Sequence, residues 1–258
     1  MLGPQGRLLT TRIPKGAPVS DRSERTDDDS DGDIDAVSLD VGGVLVVPDH
    51  GVLAHHLAAA GIDFDRSAFD EGHYRAMADV DRCRSVPEVF TDYNTGFAHA
   101  VGVPPAQVDD ACAVLLRELI PALWSQPVPG ARAAARRLAD AGVRLAVTSN
   151  SDGSVADLLA RHEIAQVGEG PGVRVDCVTD SGVVGVAKPH RAMFEATAAG
   201  LGLGPERICH VGDSGTYDAG GAAAAGMRAV HVDPLGLCPD PGHRHIASLA
   251  AFVDALLG

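Results

Sequence analysis

The sequence predicts an α/β fold, and three observations predict it. Short apolar runs alternate with helical stretches from Pro129 to the C-terminus, a pattern that yields a parallel sheet with helices on both faces. The runs end in polar or charged side chains, as at Asp40, Ser149 and Asp213, and open parallel sheets bind ligands at such tips. Between the first run and the rest, residues from about 50 to 126 carry helical periodicity and no strand signal. The expected architecture is a doubly wound, Rossmann-like parallel sheet with an α-helical domain inserted after its first strand.

Residues 1–33 hold Pro, Gly, Ser, Arg and a run of acids at Asp27, Asp28, Asp29, Asp31 and Asp33. Too little apolar surface is available there to offset ordering entropy, so a disordered acidic tail is expected. The core is expected over 34–49 and 127–258. Its first strand is Val37-Ser38-Leu39-Asp40, followed by Gly42 and Gly43, which let the backbone turn tightly past a ligand. The insertion, 50–126, includes a helix over Asp109–Leu123 and turns at Pro87 and Val103-Pro104-Pro105. After it come helix 131–141, strand 143–148, helix 152–162, strand 173–178, helix 191–200 and strand 207–211. Helix 218–225, strand 228–232 and a last helix at 246–257 complete the pattern. Residues 166–172, with three glycines and a proline, read as a flexible surface loop; no helix follows to offer free N–H groups to a phosphate.

The length of 258 residues suits one α/β core with a modest insertion. A formal charge of -14 argues against nucleic acid or an anionic membrane as partner. No stretch approaches the ~20 apolar residues that span a bilayer, and the N-terminus has no apolar signal core. Five scattered cysteines without paired ligand spacing read as reduced thiols, so a cytoplasmic location is expected. Lysine occurs only at Lys15 and Lys188; every other basic residue of this type is Arg. The one lysine outside the tail stands in a Pro-terminated loop where a compact point charge is useful.

Four segments carry the chemistry, in order. Val37-Ser38-Leu39-Asp40-Val41-Gly42-Gly43 ends a strand in a carboxylate, and Gly142 to Asn150 ends another in hydroxyl and amide groups. Val186-Ala187-Lys188-Pro189 places a lysine before a helix, and Ile208 to Asp218 ends a strand in two acids, Asp213 and Asp218, five positions apart. Asp also favours turns and N-caps, Ser149-Asn150 suits a helix cap, and Lys188 suits a solvated loop, so each segment alone is ambiguous. Their joint order resembles the haloacid dehalogenase-like (HAD) hydrolase superfamily, from about Ile34 onward.

The resemblance implies an enzyme whose inserted helical domain caps the active site. It implies that Asp40 is a covalent nucleophile toward a small phosphorylated metabolite, forming an aspartyl-phosphate that water cleaves. Ser149 and Asn150 are then expected to bind the phosphoryl group, with Asn150 at a helix N-terminus, and Lys188 to neutralise charge. Mg²⁺ is the implied cofactor, with Asp40, the Gly42 carbonyl, Asp213 and Asp218 as its surroundings.

One position departs from the family pattern. HAD phosphatases usually carry a second Asp two residues after the nucleophile, an acid–base group that protonates the leaving alcohol; here that residue is Gly42. Asp49 and His50 are the nearest substitutes. Three readings follow: a Mg²⁺-dependent phosphomonoesterase, a 2-haloacid dehalogenase whose halide needs no proton, and a binding protein for phosphorylated ligands. Retained Gly212-Asp213 favours the first, because the dehalogenases lack that acid and place an aromatic residue at the position of Gly42. In the insertion, Arg66, Arg75, Arg82, Arg84, His73 and Tyr74 could reach a polar or anionic substrate, although charged and polar residues of a cap more often lie on its solvated surface.

Overall fold

The computed structural model describes residues 34–83, 89–118 and 123–258. The expected tail, Pro87 and Arg84 lie outside the described residues. The central sheet has six strands, all parallel, in the order β10-β9-β8-β1-β4-β7: Arg244–Ile246, Arg228–Val232, Ile208–Gly212, Ala36–Leu39, Arg144–Ser149 and Cys177–Asp180. Strand β1 is therefore central, flanked by β8 and β4, and the chain reverses its direction of travel across the sheet beside it. Ligand clefts form at such a reversal.

The four residues of β1 are all buried, and their alternation explains the two-sided core. Val37 and Leu39 point to a face shared with Leu138, Phe252 and Val253 from helices α5 (Ala131–Asp140) and α10 (Leu249–Leu257). Ala36 points to the opposite face, under Met193 and Phe194 of α8 (Arg191–Leu201) and Ala222 of α9 (Gly221–Ala224). On that second face Ser38 Oγ hydrogen-bonds Thr148 Oγ1 at 2.8 Å, and Thr148 continues to Thr197 and Thr179. A buried polar row of this kind is tolerated because every hydroxyl is paired.

Leaving β1, the chain makes a short ribbon. Strand β2 (Val46–Pro48) pairs antiparallel with β3 (Trp124–Pro127), and helices α1 (His50–Ala59), α2 (Phe69–Cys83), α3 (Val89–Ala100) and α4 (Val108–Glu118) lie between them. These helices share their own apolar cluster of Leu53, Leu57, Phe69, Phe97, Val101 and Leu115. The helix expected over Asp109–Leu123 is present only to Glu118 among the described residues, and Trp124 onward is strand because Gln126 and Pro127 pair with Val47 and Val46.

Three further expectations need correction. The 166–172 loop is bracketed by a parallel strand pair, β5 (Ala165–Val167) with β6 (Val173–Val175), and the Gln166 amide accepts from Gly172 N at 2.7 Å. The stretch 173–178 is two strands, β6 and β7, on different sheets. Helix α6 runs Val155–Arg161, starting later than residue 152, because Asp180 draws Gly153 N and Val155 N into a loop at 3.0 and 3.1 Å. A four-residue helix, α7 (Ser181–Val184), follows β7.

Candidate active site

The C-terminal ends of three adjacent strands, β8, β1 and β4, deliver the predicted residues to one place. Asp40 follows β1, Ser149 ends β4, and Asp213 follows β8; all three are buried. Lys188 arrives from the loop before α8. Its Nζ donates to Asp40 Oδ1 and Asp218 Oδ1, both at 2.7 Å, and to the Thr148 carbonyl at 3.2 Å. Three acceptors saturate an ammonium, so this lysine has one position.

Asn150 sets that position. Its side-chain oxygen accepts from Lys188 N at 2.7 Å, and its side-chain nitrogen donates to Lys188 O at 3.1 Å. Because α6 begins only at Val155, Asn150 sits in a loop and not at a helix N-terminus. Its amide clamps the lysine loop, so the expected use of a helix dipole at this residue does not apply.

Asp218 is held from several sides. Ser214 opens a π-helical turn over Gly215–Gly220, and Asp218 Oδ2 accepts from Ser214 N at 3.1 Å. Oδ1 receives Lys188 and His210 Nε2, the latter at 2.9 Å. The other nitrogen of His210 meets Ser38 Oγ at 3.0 Å, which ties Asp218 to the buried hydroxyl row. A side chain on Gly212 would collide with the Asp218 carboxylate, so glycine is required there.

Helix α2 lies across this group. His73 Nε2 approaches Asp213 Oδ2 at 2.6 Å, and its Nδ1 faces Tyr93 OH at 3.0 Å. Tyr74 OH donates to the Gly43 carbonyl at 2.9 Å. Asp81 accepts from Ser214 Oγ, Gly215 N and Thr216 N at 2.6, 2.7 and 3.0 Å, serving as a cap supplied by another element. Of the two readings open for His73 and Tyr74, the solvated-surface one does not hold, since His73 is buried and both touch the strand-tip loops. Nothing in local sequence distinguishes them from exposed helix residues; only the helix's placement does. Arg75 and Arg82 do pair with acids on their own helix, Glu71 and Asp79.

Gly43 has φ +63, and a Cβ there would run into the carboxylate of Asp213 and lie 2.6 Å from His73 Nε2. Beside it, a Cβ on Gly42 would lie 3.1 Å from the Trp124 ring. A side chain at 42 would press on this ring from β3, which would have to give by a few tenths of an ångström. Asp49 is engaged as the N-cap of α1, accepting from Val52 N at 2.9 Å, and His50 Nδ1 faces the Gln126 side chain at 3.1 Å.

The electrostatics follow from one ammonium among three buried carboxylates. Burial pushes Asp40 up to about 8, with Lys188 pulling it down and Asp218 and Asp213 pushing further up. Burial opposes ionisation of Asp218 too, but Lys188 and His210 outweigh it and hold that carboxyl well below its usual range. Burial likewise disfavours the Lys188 charge, yet Asp218 and Asp40 keep it protonated beyond the ordinary lysine range. Burial lowers His210, against the opposing pull of Asp218. Oxygens of Asp40, Asp213 and Asp218 lie within 4.8 Å of one another, a hard-oxygen set suited to a small divalent cation.

Comparison with known proteins agrees with this layout. The family model of haloacid dehalogenase-like hydrolases matches residues 34–226. Over 99 residues the chain is 38% identical to a phosphoserine phosphatase of Thermus thermophilus, covering 38% of this chain and 37% of that protein. It is 30% identical over 136 residues to a phosphatase of Mycobacterium tuberculosis, covering 51% and 58%. The matches thus span between about a third and three fifths of these relatives' lengths. Among solved structures, a HAD-hydrolase of Bacillus subtilis bound to magnesium superposes with TM-score 0.60 at 16% identity, covering 87% of this chain and 99% of that one. An L-2-haloacid dehalogenase of Xanthobacter autotrophicus gives 0.54 at 19% identity, covering 87% and 99%. At such identities these two likenesses concern the fold.

Proposed function

Since this chain belongs to the haloacid dehalogenase-like hydrolases, we propose that it is a Mg²⁺-dependent phosphomonoesterase acting on a small phosphorylated metabolite, with Asp40 as nucleophile. In this reading residues 34–49 and 127–258 are the catalytic core, 50–126 is its cap, and the setting is the cytoplasm. No helix among the described residues is long and apolar enough to cross a membrane. The observation that carries the reading is the grouping of three buried carboxylates around one lysine at the tips of β8, β1 and β4.

That grouping fits a divalent cation. With all groups ionised the cluster carries more negative than positive charge, and after burial the neighbouring Asp218 and Asp213 add to the elevation of Asp40. Asp40, Asp213 and the Gly42 carbonyl would hold Mg²⁺, and Asp218, whose oxygens already serve Lys188, His210 and Ser214, would orient them. When bound, the ion supplies charge neutralisation at the phosphoryl oxygens.

The protein's own groups then act as follows. Lys188 fixes Asp40 Oδ1, which leaves Oδ2 to attack phosphorus. A bond from Oδ2 to phosphorus forms, the ester P–O bond breaks, and the alkoxide departs with the electron pair and takes a proton from solvent water. Water next attacks the acyl phosphate, releasing inorganic phosphate and restoring Asp40. Ser149 and Lys188 bind the phosphoryl oxygens. With Gly42 in place of an acid, the reading favours leaving groups that need little protonation.

A second reading draws on Trp124, whose ring stands against Gly42, and on His73, which already supplies a hydrogen-bonding partner to Asp213. An aromatic wall beside the nucleophile suits metal-free displacement of halide from a 2-haloacid. The test runs both chemistries on one preparation. Phosphate release that needs Mg²⁺ and vanishes in Asp40→Asn is the expected result. Chloride release from 2-chloropropionate without metal, with no phosphate release from any ester, overturns it.

A further inference from the structure

From its arrangement alone, we propose that the loop after β9 carries a second metal site, a tetrahedral Zn²⁺ centre formed by His231, Cys238, His243 and His245. The four contribute ligand atoms that all lie within 4.8 Å of one another. His231 and His245 are register partners on the neighbouring parallel strands β9 and β10. His243 Nε2 is 3.0 Å from His231 Nδ1 and 3.8 Å from Cys238 Sγ. Tetrahedral Zn²⁺ with ordinary Zn–N and Zn–S bonds separates its ligand atoms by about 3.3 to 3.6 Å, so the 3.0 Å pair would open and the 3.8 Å pair close by a few tenths of an ångström.

Hydrogen bonding on the outer side of the rings decides which nitrogens face inward. A backbone carbonyl can only accept, so a ring nitrogen facing one carries the proton. His231 Nε2 faces the Asp213 carbonyl at 3.1 Å, and His245 Nε2 faces the Asp240 carbonyl at 2.8 Å. Nδ1 of each ring is thereby turned toward the cluster, where His231 Nδ1 meets His243 Nε2 at 3.0 Å. His245 Nδ1 also lies 3.4 Å from Asp233 Oδ2, a contact that the ion would replace. Three imidazoles converging with a thiol are a donor set that Zn²⁺ takes, and carbonyl-anchored outer nitrogens are how metal-binding histidines are commonly oriented. The loop is also built to aim Cys238, because Asp233 accepts from Leu237 N at 2.9 Å and Cys238 N at 3.0 Å.

Four protein ligands make a closed, structural site. It packs on Gly215, where an added Cβ would lie 3.5 Å from His243 Cε1 and 3.6 Å from Cys238 Sγ. Gly215 begins the turn that carries Asp218, and His231 holds the carbonyl of Asp213. The ion would fasten the 233–243 loop to the back of the catalytic acids, along a cavity of about 480 Å³ that Asp213 also lines. The proposal does not depend on which reaction the enzyme performs.

The test uses the full chain with Asp40→Asn, which weakens the carboxylate site. Stripped protein is loaded with Zn²⁺, desalted and assayed for metal by mass spectrometry, then loaded with Co²⁺ for absorption. About one Zn²⁺ per chain should be retained, and Co²⁺ should give the intense visible bands of a tetrahedral centre plus a thiolate-to-cobalt charge-transfer band. Cys238→Ser should abolish that band, and His243→Ala should reduce retained Zn²⁺ at least tenfold. Absence of retained Zn²⁺, retention undiminished in His243→Ala, or a Co²⁺ spectrum without the sulfur band in the unsubstituted loop each overturns the proposal. The last observation does not depend on any loop variant folding.

Discussion

Replacing Lys188 by Met removes the ammonium and keeps the stem's bulk. The side chain is 3% exposed, and the acids it joins, Asp40 and Asp218, are 10% and 2% exposed. Breaking one partner out of a buried ion pair costs roughly 3–5 kcal/mol, since a charge is left without compensation. Relief comes from protonation. Asp40 already stands at about 8 with Lys188 present, and losing the cation moves it higher. At pH 6 the variant's Asp40 is a neutral acid, while Asp218 keeps His210 and Ser214 N. At pH 9 far more of the penalty remains. Urea unfolding of Lys188→Met should therefore show a loss of about 3–5 kcal/mol at pH 9 and about half that at pH 6, with unchanged slope. Combined with Asp40→Asn, the loss should be less than the sum of the single losses, because both act on one cluster. A loss below ~1 kcal/mol at both pH values, or strict additivity, would refute the placement of that charge.

Three further outcomes follow from the same geometry. Asp40 binds its proton up to about pH 8 in the folded protein but releases it near 3.8 when unfolded, so its contribution to stability is full below 3.8 and is lost as pH rises to about 8; thermal melts of the metal-free protein should fall across that interval, and Asp40→Asn should flatten the fall. Gly43→Ala, at φ +63 and against Asp213 and His73, should cost about 2–3 kcal/mol in urea titrations; a loss under ~0.5 would contradict the close approach. Gly42→Asp alone should gain little alkyl phosphate turnover, because its Cβ presses on the Trp124 ring; paired with Trp124→Ala it should gain up to ~10²-fold, and equal rates for both variants would show that the ring is no obstacle.

Much of this protein was legible without coordinates. The strands ending in Asp40, Ser149 and Asp213 announce themselves because a parallel sheet buries both faces, so its strands read as continuous apolar runs with polar tips. Lys188 stood out through the near absence of lysine elsewhere. Local pattern also located the helices at 131–140, 191–201 and 249–257 to within a few residues. Short strands without alternation, β2, β3, β5 and β10, escaped because three or four residues carry no measurable period.

Packing decided the rest. His73 and Asp81 look like ordinary residues of a polar helix; only the way α2 crosses the strand tips makes one a partner of Asp213 and the other a cap for the turn at Gly215. Trp124 meets Gly42 across the insertion, a neighbourhood that no local spacing encodes. The cluster of His231, Cys238, His243 and His245 is likewise a product of β9 lying beside β10. Sequence order supplies the chemical groups and the periods that fold each segment; which groups share a low-dielectric space, and so shift one another's charge, depends on distances set between segments.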